Sequence, residues 1–156
     1  MMAQKILLLS LSGKYGTIIG KIVAEKLGRG FLNIDDQIVK MLSKLQPVPA
    51  KQGKNLFDEY EKRVIQEALK SEYEIIYASY GLFIHNRQFF QNCRRIYVRL
   101  EKSDLKKFAD DDLIVNHLAF VDRDNILCQN GLKVQADALL PEKTACEIIE
   151  IIRTKI

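Results

Sequence analysis

The sequence predicts an α/β fold in three α/β/α layers, with a five-stranded parallel sheet between two layers of helices. Short apolar runs alternate along the chain with longer segments in which apolar residues recur at helical spacing. The runs are continuous rather than alternating, as in strands covered on both faces. Because parallel strands need right-handed crossovers, this alternation places helices on both sides of the sheet.

The first elements are a strand, a helix and a second strand. "KILLLS" is a short apolar run that ends at a glycine-bearing loop, which indicates a buried strand. The helix that follows has apolar residues at Ile18, Ile19, Ile22, Val23 and Leu27. Gly28 stands where a left-handed residue ends a helix. "FLNI" predicts the second strand, and Asp35 or Asp36 is placed to cap the helix "DQIVKMLSKL".

The middle of the chain predicts a loop, a helix and two more strands. "QPVPAKQGKN" contains two prolines and a glycine, which predicts a loop within one domain. The next helix carries an apolar stripe formed by Phe57, Tyr60, Val64, Ile65, Ala68 and Leu69. "EIIYAS" and "RIYVRL" predict strands three and four, joined by a crossover that contains a short helix, "NRQFFQN".

The last third predicts two helices, the fifth strand and a closing helix. Ser103 is placed to cap a helix beginning "SDLKKF", and "HLAFVDRDNILCQN" predicts a helix that stops at Gly131. "ADALL" is the expected final strand. "EKTACEIIEIIRTKI" predicts a helix with one apolar face, formed by Ala145, Ile148, Ile149, Ile152 and Ile156. Residues 1–156 are therefore expected to form a single domain.

Composition narrows the functional classes. A net charge of +4 arises from 24 basic and 20 acidic residues without a run of like charges, which argues against a nucleic-acid partner and suits an anionic small ligand. The three cysteines form no metal-ligand or disulfide pattern, and His85 and His117 lack ligand-spaced partners. The lack of a disulfide pattern fits a reducing cytoplasm, and no apolar run is long enough for a membrane span.

Ligands of such sheets bind at the carboxyl ends of the strands. The loops of interest therefore follow Leu9, Ile34, Tyr77 and Leu100. The first, within "LSLSGKYGTIIGKIVAEKLG", has the outline of a phosphate-binding loop that opens a helix. No window of the chain, however, matches the full pattern of glycine, four spacers and Gly-Lys-Ser/Thr.

These segments resemble the shikimate kinases and the related cytidylate-type kinases, which share the P-loop kinase fold. In that register Gly13 takes a loop glycine and Thr17 the hydroxyl position, "GK" and "AEKLG" match the first helix, and Gly16 falls at the phosphate-binding lysine. "SGKYG" is also similar to the "REYGSGG" loop of cytidylate-kinase-like proteins. The resemblance covers most of the chain and includes "ADALLPEKTACEIIEII".

Later segments continue the resemblance and depart from it at functional positions. "FLNIDD" resembles Phe-x-Asp-x-Asp, with Asn33 in place of the Asp near magnesium and Asp35 kept on the substrate side. "FDEYE" resembles Phe-Arg-x-x-Glu, with Asp58 in place of an arginine that binds a substrate carboxylate. "ASYGLFI" keeps only Gly81 of a Gly-Gly-Gly turn. The lid, expected to be reduced and to lie around 109–125, lacks its Arg-Pro pair, and Arg123 is the best match to a lid arginine.

The resemblance implies an ATP-dependent, Mg²⁺-using phosphotransferase acting on a small acceptor. The phosphates are expected at Gly13, Lys14, Gly16 and Thr17, with Lys14 as the substitute cation and the Thr17 hydroxyl as the magnesium ligand. The catalytic candidates are Lys14, Asp35 and Arg123, and the acceptor-binding candidates are Asp35, Gly81 and Arg87.

Each candidate also has a purely structural interpretation. Lys14 is alternatively a solvated loop lysine, Asp35 a helix cap, and Arg123 half of a surface ion pair. Three functions stay open: a small-molecule kinase, a P-loop kinase scaffold without turnover that binds nucleotide or protein, and a structural or regulatory subunit without nucleotide. The sequence does not indicate an oligomeric state.

Overall fold

The computed structural model describes residues 4–44, 50–108 and 117–154. The strands are Ile6–Leu9 (β1), Phe31–Asn33 (β2), Ile75–Ala78 (β3), Arg94–Arg99 (β4) and Leu132–Gln135 (β5). The helices are Gly13–Leu27 (α1), Ile34–Ser43 (α2), Ala50–Lys70 (α3), Tyr80–His85 (α4), Lys102–Phe108 (α5), His117–Asn130 (α6) and Pro141–Arg153 (α7). A 3₁₀ helix, Arg87–Phe90, links α4 to β4.

The strands form one parallel sheet in the order β2-β3-β1-β4-β5. β1 therefore lies between β3 and β4, and its four residues are all buried. Side chains alternate between the two faces: Leu8 belongs to a core cluster with residues of α1 and α7, and Leu7 and Leu9 belong to one with residues of α2, α3 and α4. The predicted three-layer α/β/α fold is confirmed.

Three expectations in the first half of the chain need correction or fall outside the described residues. Asn33, rather than Asp35 or Asp36, caps α2: its side chain accepts a hydrogen bond from the Asp36 N–H. The loop expected at 46–55 is shorter, because α3 already begins at Ala50. The rest of that loop, 46–49, lies outside the described residues. Gly28 ends α1 in the left-handed conformation, with φ of 66°, as predicted.

In the second half of the chain, three connections between elements differ from the sequence-based prediction. The crossover expected at "NRQFFQN" consists of α4 followed by the 3₁₀ helix, and α5 begins at Lys102, so Ser103 lies inside it. The fifth strand is Leu132–Gln135, and "ADALL" forms the connection to α7. The start of the predicted lid, 109–116, and Ile156 of the closing helix lie outside the described residues.

No helix in the described part of the chain is both long enough and apolar enough to cross a membrane. Nor do the described residues gather three His, Cys, Asp or Glu side chains into a group that could hold a metal ion.

Candidate active site

A cavity of about 720 Å³ opens at the carboxyl ends of β1, β2 and β3, where parallel α/β sheets bind their ligands. Its walls come from the start of α1, the start of α2, the turn after β3 and one residue of α6. The candidate residues that line it are Gly13, Lys14, Thr17, Asp35, Gly81 and Arg123. The topology thus brings together six residues that the sequence analysis singled out.

Two candidates lie elsewhere. Gly16 is buried in α1 and is not part of the cavity wall, and Arg87 is exposed on the 3₁₀ helix away from the cavity. His85 is exposed, and the His117 ring lies 3.3 Å from Lys102 Nζ. Asp58, which occupies the arginine position of the resemblance, is exposed on α3 and does not line the cavity.

The turn after β1 is already helical at Gly13. Ser12 is the N-cap: its hydroxyl accepts from the Tyr15 N–H at 3.1 Å, and its carbonyl accepts from the Gly16 N–H at 2.9 Å. The amides of Tyr15 and Gly16 are therefore bonded within the helix. Those of Gly13 and Lys14 belong to the first turn, whose N–H groups point back towards the start of the helix. The anion-attracting end of the α1 dipole faces the cavity at these two residues.

Tyr77 closes the space beside Gly16. A Cβ built on Gly16 would lie 2.5 Å from Cε2 of the Tyr77 ring, a distance that real Cβ atoms do not reach. The Tyr77 hydroxyl donates to the Ser10 carbonyl at 3.2 Å. Position 16 therefore holds a glycine because an aromatic ring from β3 fills the volume in which a longer side chain would begin.

Tyr15 anchors the first turn of α1 to α7 and to the loop after the edge strand β5. Its ring is fully buried, its hydroxyl donates to the Asp137 carbonyl at 2.9 Å, and it lies 3.0 Å from Thr144 Oγ1. Thr144 Oγ1 in turn accepts from the Asp137 N–H at 2.8 Å. The ring also meets Phe108 edge-on with centroids 5.1 Å apart. These contacts fix the cavity wall to α5, α7 and the loop after β5.

Asn33 and Thr17 form a hydrogen-bonded pair at the cavity floor. The Asn33 amide nitrogen donates to Thr17 Oγ1 at 2.8 Å, whereas the Asn33 amide oxygen caps α2. Both polar atoms of the Asn33 side chain are thus engaged. The floor carries a neutral amide at the position where the resemblance expects a carboxylate.

Asp35 is bound to the turn after β3. Its two carboxylate oxygens accept from the Ser79 N–H at 2.7 Å and from the Ser79 hydroxyl at 2.6 Å. Burial raises the pKa of Asp35 above its ordinary value, although the two hydrogen bonds from Ser79 oppose the shift. A carboxylate with a raised pKa is a better proton acceptor near neutrality than an ordinary one.

Arg123 reaches the cavity from α6 and stacks on an aromatic ring. Its guanidinium carbon lies 4.8 Å from the centroid of the Tyr80 ring. The neighbouring Asp124 fastens α6 to β4, since its carboxylate accepts from the Tyr97 hydroxyl at 2.7 Å and from Arg99 Nε at 2.9 Å. The helix that carries this cation is therefore anchored to β4 by a partly buried polar cluster beside it.

The sequence analysis did not assign site roles to Tyr77, Ser79 and Tyr80. Tyr77 lies in β3 and Ser79 directly follows it, at the carboxyl end that the sequence places at the ligand-binding edge. The run "EIIYAS" by itself indicates only a buried strand, whereas Tyr77 is both buried and part of the cavity wall.

Comparisons with known proteins agree on one family. The family model described as shikimate kinase matches residues 12–142. The chain is 29% identical to the shikimate kinase of Bacillus subtilis (strain 168) over 96% of the chain and 89% of that relative. It is 27% identical to the shikimate kinase of Bacillus licheniformis, with 96% and 94% covered.

Solved structures agree on the fold. Shikimate kinase from Bacteroides thetaiotaomicron superposes with a TM-score of 0.76 at 20% identity, covering 96% of this chain and 98% of that one. Shikimate kinase from Acinetobacter baumannii, solved in complex with shikimate, superposes with a TM-score of 0.73 at 19% identity, covering 97% of this chain and 94% of that one. The sheet and helices are those of the P-loop kinases. The chain belongs to the shikimate kinase family.

Proposed function

We propose that the chain transfers a phosphoryl group from ATP to a hydroxyl group of a small acceptor, with both bound in the cavity at the carboxyl ends of β1, β2 and β3. The observation that carries this proposal is the meeting of Lys14, Asp35 and Arg123 around one cavity of about 720 Å³. Phosphoryl transfer depends chiefly on positioning and on positive charge around the transferred group. Family membership supports the same reaction class.

The phosphate end of the cavity is the start of α1. A helix N-terminus attracts anions through its first-turn N–H groups and its dipole, and Gly13 leaves the approach to those groups open. Lys14 is exposed on the cavity wall two residues before Gly16, and we assign to it the cationic role of the absent loop lysine. Arg123, stacked on Tyr80, supplies the second cation.

The acceptor end is the turn after β3. Asp35, held by Ser79 and with its pKa raised by burial, is placed to accept the proton of an acceptor hydroxyl. Gly81 leaves open space beside it, because a Cβ at this position would meet nothing within 4 Å. A hydroxyl-bearing small molecule fits between this carboxylate and the phosphate end.

The test is transfer of labelled phosphate from ATP to acceptors, starting with shikimate and continuing with shikimate analogues that lack the carboxylate. Because Asp58 stands in place of the arginine that would bind a carboxylate and lies outside the cavity, we expect shikimate to react no better than analogues without a carboxylate. Lys14→Ala should lower kcat/KM by about 10²–10³, and Lys14→Arg should retain most of it.

Lys21→Ala is the matched control, since Lys21 is exposed on the same helix outside the cavity, and it should leave the rate unchanged. Equal rates for the wild type and Lys14→Ala would refute the role given to Lys14. The absence of transfer to every acceptor would refute the phosphotransferase itself.

One observation favours a second candidate, a nucleotide-binding module without turnover. The Tyr77 ring excludes a lysine at position 16, and the removal of one fixed charge from a phosphoryl-transfer site commonly costs about 10²–10³ in rate. ATP binding without transfer to any acceptor would establish this alternative.

A further inference from the structure

We propose that the cavity binds the phosphate groups of a nucleotide without Mg²⁺, because Thr17 presents a hydrogen-bond donor to them rather than an oxygen ligand to a metal. This inference rests on the proposed function only in that it places a nucleotide in this cavity. It concerns how the nucleotide is held and is independent of whether phosphate is transferred.

The orientation of the Asn33 amide is fixed by its two neighbours. One end of the amide faces the Asp36 backbone N–H, which can only donate, so that end is the oxygen. The other end, 2.8 Å from Thr17 Oγ1, is therefore the nitrogen, and it donates to the hydroxyl oxygen. The opposite orientation would set an NH₂ group against the N–H of Asp36 and leave the first turn of α2 uncapped.

This orientation determines what Thr17 can offer. Its oxygen already accepts from Asn33, and this is its sole hydrogen bond among the described residues, so the hydroxyl proton is available to the cavity that Thr17 lines. A proton donor at that point suits a phosphate oxygen. A carboxylate at position 33 would instead accept a hydrogen bond from the Thr17 hydroxyl. The lone pairs of Thr17 Oγ1 would then face the cavity, where they could bind a cation.

The groups at this position do not fit Mg²⁺. A magnesium site requires oxygen lone pairs, and usually at least one carboxylate besides the phosphates. At the floor, the Asn33 oxygen caps α2, the Asn33 nitrogen is a donor, and each oxygen of Asp35 already accepts one hydrogen bond from Ser79, so that only its remaining lone pairs could face a metal. The other carboxylate on the cavity wall is that of Asp36, which is exposed at its rim.

The test measures ATP, ADP and inorganic tripolyphosphate binding by calorimetry, once in EDTA and once in excess Mg²⁺. We expect Kd values in the two buffers to agree within about twofold, or to be lower in EDTA. A Kd at least tenfold lower with Mg²⁺, or no binding of any of the three probes in EDTA, would overturn the inference.

Two variants test the chemistry directly. Asn33→Asp keeps a good N-cap for α2 but adds a carboxylate. It should weaken binding in EDTA at least tenfold and recover it with Mg²⁺. Thr17→Val removes the donor and should weaken binding in EDTA about tenfold, whereas Thr17→Ser keeps the hydroxyl and the affinity. If Asn33→Asp gains no dependence on Mg²⁺, the inference is wrong.

Asp36→Asn serves as the control for the exposed carboxylate. We expect its ATP affinity in the two buffers to agree as closely as in the wild type. A response to Mg²⁺ that is present in the wild type and abolished by Asp36→Asn would assign a metal site to Asp36 and contradict the inference. The proposed function fails separately: metal-free binding without phosphate transfer refutes only the phosphotransferase, and transfer with strictly Mg²⁺-dependent nucleotide affinity refutes only the inference.

Discussion

The ring of Tyr77 occupies the volume in which a side chain on Gly16 would begin: a Cβ at position 16 would lie 2.5 Å from Tyr77 Cε2. The two residues belong to α1 and β3, 61 positions apart in the sequence (77 minus 16). Because Tyr77 is also pinned by its hydrogen bond to the Ser10 carbonyl, the ring has little freedom to move aside. A change at either residue is therefore expected to depend on the other.

Gly16→Lys should destabilise the protein when it is made alone. Overpacking a filled core typically costs about 1–3 kcal/mol, more than the roughly 1 kcal/mol that a helix gains when lysine replaces glycine. Combined with Tyr77→Ala, the lysine finds room, so the double variant should lose less stability than the sum of the single losses. Urea denaturation of the four proteins in the cycle measures this coupling.

Tyr77→Phe is the matched control, since it keeps the ring and removes only the hydroxyl. Gly16→Lys should keep most of its cost in this background, because the ring still fills the space, although it is no longer held by the hydrogen bond to Ser10. Additive free energies of unfolding in the cycle with Tyr77→Ala would contradict the steric explanation. The double variant should also bind ATP more tightly than Tyr77→Ala alone, because the lysine adds a cation near the start of α1.

Much of the fold could be predicted because buried parallel strands leave a strong signal. β1 and β3 are apolar runs covered on both faces, β4 has the buried centre Ile96, Tyr97 and Val98, and the structure has all three strands where the sequence indicated. β5 gave no such signal: as an edge strand it has one buried residue, Val134. The apolar pair Leu139 and Leu140 suggested a strand but is exposed before α7, at 79% and 57%.

The sequence indicated which loops form the site but not which hydrogen bonds connect them. Strand order indicated which loops converge, and the candidate residues in them line one cavity. The cap of α2 shows the limit: Asn33, Asp35 and Asp36 can each cap a helix. The choice is settled by Ser79, which is distant in sequence and engages Asp35.

Tyr15→Phe should destabilise the protein by about 1–2 kcal/mol. The substitution keeps the buried ring but removes the hydroxyl that donates to the Asp137 carbonyl at 2.9 Å, and this carbonyl then keeps a longer hydrogen bond from the Leu140 N–H at 3.3 Å. Thermal and urea unfolding measure the loss. Tyr73→Phe is the control, because Tyr73 is 37% exposed, and it should stay within about 0.5 kcal/mol of the wild type. Equal effects of the two substitutions would mean that the anchor contributes nothing.

The free energy of unfolding of the Asp35→Asn variant should increase relative to that of the wild type as the pH rises. Burial raises the pKa of Asp35 above its ordinary value of 3.8, so the folded wild type holds its proton more tightly than the unfolded chain. Its stabilising contribution is present below pH 3.8 and is lost as the pH rises through the folded pKa. The side-chain amide that this substitution introduces does not titrate, and it can still accept from the Ser79 N–H and donate to the Ser79 hydroxyl.

Free energies of unfolding for the two proteins, measured from about pH 3.5 to about pH 8, test this sign. The difference, variant minus wild type, should increase from the ordinary aspartate pKa upwards and become constant above the folded pKa. A difference that decreases over this interval would show that the two hydrogen bonds from Ser79 outweigh burial and that the pKa of Asp35 is lowered.

Asp124→Ala should cost about 2–3 kcal/mol, because it leaves the Tyr97 hydroxyl and the Arg99 guanidinium without their shared acceptor. Burial alone raises the pKa of Tyr97 above its ordinary value, so in the variant the phenol keeps its proton and cannot replace the lost carboxylate. Asp122→Ala, an exposed acid on the same helix, should change stability by less than about 0.5 kcal/mol. Since the side chains of Arg99 and Asp124 are only 18% and 14% exposed, the difference between the two variants should persist in about 1 M KCl. If salt abolished it, Asp124 would act as an ordinary surface ion pair, and α6 would need another anchor to hold Arg123 on Tyr80.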